Sequence, residues 1–208
     1  MNDFISLLKA RRSANNFIPG VEILDRELEE LFQLVKFAPS AFNLQHTHYV
    51  VVKDPELKNK VYEAANQQYK VKTASAAIVV LGNKDAYKDV AAINEGLLQL
   101  GVMSKQEYDM TVESVLGFYE ERGDAFKHEE AIRNASLSAM LLMLIAKDKG
   151  WDTCPMIGFD PEALRQELRI PDNYVPAMLI TIGKEAVSSQ RPRGYRKPTG
   201  EFVSYNIF

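Results

Sequence analysis

The chain has 208 residues, a formal net charge of −3, 46% hydrophobic residues and 25% charged residues. That length and balance suit a single domain with a substantial buried core and exclude a disordered chain. The absence of a basic field excludes the usual footprint of a nucleic-acid binder.

The first element expected is a short helix capped by Asp3 and running through Lys9, with Phe4, Ile5, Leu7 and Leu8 as its apolar stripe. Basic residues follow this patch rather than precede it, so it does not read as a signal peptide. The helix leads into Arg11-Arg12-Ser13-Ala14-Asn15. Guanidinium forks and a hydroxyl match phosphate oxygens, although a solvated helix C-terminus is the ordinary alternative. After the Pro19-Gly20 turn, Asp25 reads as the N-cap of a helix carrying Leu28, Leu31, Phe32, Leu34 and Val35. Pro39 closes the approach to a loop in which Ser40, Asn43 and Gln45 place three polar side chains ahead of a β-branched run, Tyr49–Val52. That run reads as a buried strand. The loop can offer hydrogen bonds to a flat polar ligand, or it is an ordinary helix-to-strand connection.

Glu56–Ala65 reads as a helix, Asn66–Lys70 as a polar patch and Ala74–Leu81 as a second buried strand. From Asp85 to Asp124 the pattern is mixed and helical, with no readable polar constellation. It is the natural place for an elaboration over a pocket or a partner. Glu129–Lys149 is a strong helix whose centre, Ala139–Ala146, is apolar on all sides, which suits the core or a dimer interface. Gly150 fits its C′ position. Trp151–Asp160 reads as an apolar loop in which Pro155 and Gly158 let backbone amides approach a ligand. Within it, Cys154 reads as a small buried hydrophobe, because nothing supplies a base for a nucleophile. A helix from Pro161 to Leu168 and a third strand, Val175–Ile182, follow. The basic tail Gln190–Pro198 and the apolar end Phe202–Phe208 are expected to dock on the same domain or on a neighbour.

Several chemistries are absent from the pattern. No GxGxxG, GxxxxGK[ST], HExxH or GxSxG occurs, so the dinucleotide fingerprint, P-loop, zincin and hydrolase-elbow readings fail. His46 and His48, expected on one side of the approach to a strand, lack a third metal ligand. The single cysteine permits no internal disulfide, which suits a reducing cytoplasm, and no run reaches the ~18 apolar residues of a membrane span.

Taken together, Arg11-Arg12-Ser13, Pro39-Ser40-x-x-Asn43-x-Gln45 before a Val-rich strand, Pro155-x-x-Gly158-Phe159-Asp160 after the long helix, and a late Arg196-Lys197-Pro198 resemble the FMN-dependent nitroreductase family. The order and spacing match across nearly the whole chain and are weakest at 85–124. The resemblance implies an α+β, three-layer α/β/α fold with a central, mostly antiparallel sheet, built as an intertwined homodimer with FMN at the subunit interface. It implies that Arg11, Arg12, Ser13 and Arg196 meet the FMN phosphate and ribityl chain, and that Gln67 and Lys70 supply polar contacts to the flavin. Pro39, Ser40, Asn43 and Gln45 would come from the other subunit, and the tail 190–208 would dock on it. Pro155, Met156, Ile157 and Gly158 would lie along the flavin face. Asn15 stands where many members carry Lys or Arg toward the pyrimidine end, and a neutral amide there would stabilise an anionic reduced flavin less. The implied activity is ping-pong transfer from NADH or NADPH to nitroaromatics, quinones or similar small acceptors. A related flavin chemistry (dehalogenation or flavin fragmentation) and a non-catalytic redox sensor remain as alternatives.

Overall fold

The computed structural model describes residues 3–208. Its strands are β1 (Thr47–Val52), β2 (Ala76–Asn83), β3 (Asp152–Met156) and β4 (Tyr174–Gly183), in the order β1-β2-β4-β3 with every neighbouring pair antiparallel. Strand β2 is buried along almost its whole length, so its alternate residues feed two cores. Ala76, Ile78 and Val80 join Ile180 and Ile182 under α2 (Asp25–Val35) and α6 (Lys105–Asp148), through Leu28, Leu31, Ala135, Ala139 and Leu142. Ala77, Val79 and Leu81 join Leu179 on the other face, against Val61 of α3 (Pro55–Ala64), Val71 of α4 (Tyr69–Thr73) and Leu164 of α7 (Pro161–Leu168). The result is the expected α+β, three-layer arrangement. Helices α1 (Phe4–Ala10) and α5 (Val90–Gln99) complete the set. Close passage of α6 over the sheet requires Gly82, where a Cβ would come 2.3 Å from the Ala131 carbonyl oxygen. No helix of the described residues is long and apolar enough to cross a membrane.

The structure departs from the sequence reading at several points. Residues 152–156, expected in a loop, form β3. It is an edge strand, where Pro155 removes no ladder bond that the sheet needs. The helix expected at 129–149 is the second part of α6, which begins at a Ser104–Glu107 capping box and is interrupted only at Gly123, with φ 72° and ψ −174°. Asp25 is the first residue of α2 rather than its cap; the Leu24 N–H donates instead to Glu27 Oε2 at 2.9 Å. The polar patch at 66–70 runs into α4. The apolar stretch 139–146 does reach the core through Ala139, Leu142, Met143 and Ala146, while Met140 within it is exposed. The segment 85–124 also has polar contacts that its pattern did not show: Tyr87 donates to Glu120, whose carboxylate accepts from Lys127 Nζ, just beyond the segment, at 3.0 Å.

Candidate functional site

The segment after α1 runs along the outer edge of β3. Ser13 bridges Thr153 in parallel fashion, and the Ala14 N–H donates to the Thr153 carbonyl at 3.0 Å. This places Arg11, Arg12, Ser13 and Asn15 opposite the returning tail. Together with Arg191, Arg193 and Arg196 they line a cavity of about 210 Å³. Arg12 is neutralised there by Glu185, which is buried, at 3.2 Å. The same carboxylate accepts the Asn15 N–H at 3.1 Å, and Asn15 Nδ2 donates to the Ser189 carbonyl at 2.8 Å. Arg11 has no carboxylate partner among the described residues. Burial, then Arg193 and Arg196, push its pKa below the ordinary value, against a smaller opposing effect of Cys154. A half-buried cation crowded by two others is a place where a bound dianion relieves repulsion.

Residues 66–70, leading into α4, meet β3 and the turn after it. Lys70 Nζ lies 3.4 Å from Cys154 Sγ. Asn66 Nδ2 and Gln68 Nε2 both donate to the Gly158 carbonyl, at 3.1 and 2.9 Å, and so fix the turn after β3. Met156 is buried in the strand, whereas Ile157 is 81% exposed beside it. Gln67, in the left-handed region with φ 55°, turns its amide to Glu63 Oε2 at 2.8 Å.

The loop before β1 is a second centre. Phe42, Asn43 and Gln45 all have positive φ, at 51°, 57° and 51°. Each such non-glycine residue costs about 1 kcal/mol, so surrounding contacts must hold the shape. Ser40 Oγ accepts the Gln45 N–H at 2.9 Å across the turn. Pro39, Ser40 and Gln45 line a cavity of about 270 Å³ with Phe32, Tyr49 and Ser138, and Asn43 stands exposed at the tip. This cavity shares no lining residue with the arginine cavity. Within the chain the candidate residues therefore form two groups.

His46 and His48 do not share surroundings as expected. His46 lies before β1 and is buried, with Nε2 3.2 Å from the Tyr119 hydroxyl; His48 is exposed, its ring 5.6 Å from that of Tyr174. Burial holds His46 down to about 4, so the ring is neutral at ordinary pH.

Comparison with known proteins decides the family. The Nitroreductase family profile matches residues 8–184. A Bacillus subtilis protein, MhqN, whose name assigns it to the NAD(P)H nitroreductases, is 58% identical over 99% of this chain and 100% of its own. The chain belongs to the nitroreductase family. A crystal structure of a Bacillus subtilis protein assigned as a nitroreductase superposes with a TM-score of 0.95 at 57% identity, covering 97% of this chain and 98% of that one. A family structure from Exiguobacterium sibiricum, in complex with FMN, gives 0.90 at 28% identity over 99% and 98% of the two chains. As a member of this family the chain is an oxidoreductase.

Four features of this nitroreductase-family site were not singled out from the sequence. Arg193 was visible only as part of a basic, proline-rich tail, and its place in the cavity depends on the tail's path. Asn66 and Gln68 were seen as a polar patch without an object. Glu185 follows a strand and reads as a surface acid until Arg12 is found against it. Glu130 and Asn134, four apart in an apolar helix, did leave a signal: buried polar groups at that spacing need each other or a third partner.

Proposed function

We propose that this chain is an FMN-dependent oxidoreductase, drawing on NADH or NADPH and reducing nitroaromatics, quinones or similar small acceptors. The observation that carries this is the arginine cavity, where Arg11 stands half-buried against Arg193 and Arg196 with Ser13 beside it. That donor set fits a phosphate monoester. Arg11, Ser13 and Arg196 would hold it, while Arg12 and Asn15 keep the segment and the tail in register through Glu185 and Ser189. Lys70 would supply a cation toward the ring system. The turn at Pro155–Gly158, held by Asn66 and Gln68, would offer backbone along its face. Bound FMN supplies a flavin that accepts hydride from the nicotinamide and gives electrons to the acceptor. No side chain is needed as a general base, and the exposed Ile157 suits an open apolar site that takes donor and acceptor in turn. Ping-pong kinetics follow from such shared occupancy.

The same reading makes the protein a homodimer of single-domain subunits in the cytoplasm. Pro39, Ser40, Asn43 and Gln45 line no part of the arginine cavity of their own protomer, which supports their serving the cavity of a second copy. Exposed Leu137 and Met140 on α6, and the exposed apolar residues Phe202, Tyr205 and Ile207 of the tail, support the same arrangement. The test is the visible spectrum of the purified protein with FMN, before and after anaerobic NADH or NADPH. Bleaching, followed by recovery with a quinone or a nitroaromatic, is expected. A protein that takes up no FMN overturns the assignment. One that binds FMN but is not bleached is a flavin-binding sensor.

A further inference from the structure

The left-handed loop at 41–45 is gripped at both ends by one helix, on either side of that helix's only break. After the break at Gly123, Asn134 Oδ1 accepts the Ala41 N–H at 2.8 Å. The amide cannot turn round, because its Nδ2 donates to the Glu130 carbonyl at 2.8 Å and to Glu130 Oε2 at 3.0 Å. Asn134 and Glu130 are both buried, and Glu130 is also paired with Arg133. Before the break, Tyr119 meets His46 through its hydroxyl at 3.2 Å. The Phe42 ring packs edge-on against Phe118 and Tyr119, at 5.4 and 6.3 Å. Tyr119 is itself stacked on Tyr87 at 5.0 Å with the rings 5° from parallel. None of these contacts is needed to close the sheet. They converge on the loop whose backbone would otherwise leave the left-handed region.

We propose that Asn134, oriented by Glu130, and Tyr119, through His46, are positioning residues that hold Ser40, Asn43 and Gln45 in the shape the flavin site requires. The inference rests on the FMN reading above and deepens it. Neither residue touches the arginine cavity, so each acts only through the loop. The break at Gly123 lets the two halves of α6 be set independently, and the loop clips them together.

The test uses the full chain freed of FMN, with hydrogen–deuterium exchange over residues 40–46 followed by titration with FMN alone. In Asn134→Ala, exchange of that peptide is expected to rise at least tenfold and the FMN dissociation constant about tenfold, with strands β2 and β4 still protected. Tyr119→Phe is expected to raise both about threefold. Glu130→Gln, which keeps a hydrogen-bonding side chain in place, is the second variant should Asn134→Ala fail to fold; it is expected to fall between the other two. In each case the reduction potential of bound FMN moves with the exchange rate. Unchanged exchange and affinity in the folded variants overturn the proposal. So does a loss of protection spread evenly over the sheet, which marks a merely structural role. Failure of the wild-type chain to bind FMN overturns the flavin reading, and the proposal with it, and is recognised from the wild-type titration alone.

Discussion

The two parts of the candidate site are built on opposite principles. Around Arg11 the protein leaves charge unbalanced: five arginines line one cavity and, among the described residues, only Arg12 has a carboxylate partner. Around Asn43 it leaves backbone strain, with three left-handed non-glycine residues and every restraint supplied by the protein itself. In the first region a bound anion would relieve the repulsion, whereas the second is held by the protein's own contacts. Substitutions should therefore separate them: changes at the arginines act on binding, and changes at the loop act on folding and binding together.

The largest effect is expected at the arginines. Replacing Arg11 and Arg196 together by Ala removes two charge-assisted contacts of about 2 kcal/mol each, so FMN affinity should fall by roughly a thousandfold. The apo thermal midpoint should hold or rise slightly, because the repulsion among Arg11, Arg193 and Arg196 is removed. Calorimetric titration and melting curves read the two quantities, and a parallel drop in stability would erase the contrast between the regions.

Next comes His46. Its pKa is about 4 in the folded chain against an ordinary 6.5, so between those values the unfolded chain binds a proton that the folded chain refuses. Stability is full above the upper value and is lost as the pH falls through the window, by at most about 3 kcal/mol. Denaturant titrations of wild type and His46→Gln from pH 7 to pH 4 should show a steeper fall in the wild type. Equal slopes would remove the buried imidazole from the loop's restraints.

Smaller effects sharpen the picture. Ser40→Ala removes the hydroxyl that accepts the Gln45 N–H and should cost about 1 kcal/mol or less at this exposed turn, read from the denaturation midpoint. Adding salt should weaken FMN binding to the wild type by several-fold while leaving the apo midpoint nearly constant, since screening acts on the arginine cavity and scarcely on the loop. A loop that also loosened with salt would argue that its restraints include charge.

Much of the fold was legible because periodicity survives packing. Residues 76–81 alternate between two cores, so the strand is apolar without a break. Asp3 announced its helix through a side chain that accepts a first-turn amide, and Asp54 and Asp160 do the same for α3 and α7 in the folded chain. Strand β3 was hidden because Pro155 and its short length mimic a loop, and only the pairing with β4 makes it a strand. The length of α6 was hidden because 85–124 and 129–149 carry different patterns, yet one helix runs from the first into the second, broken only at Gly123. Of the site, Arg11 and Ser13 were named from residue type and Arg196 from the family resemblance, and all three line one cavity. Arg193, Glu130 and Asn134 were not, because nothing local says which partner a tail arginine or a buried amide will meet.

By itself the sequence determined most of the elements, β3 excepted, and the residue types able to hold an anion, since these depend on neighbours within a few positions. Tertiary structure decided which charges go unanswered and which strained backbone is held. Arg12 is neutralised by a carboxylate 173 residues away and Ala41 is restrained by an amide 93 residues away. Both outcomes depend on desolvation and on distances of about 3 Å that only the packed chain defines.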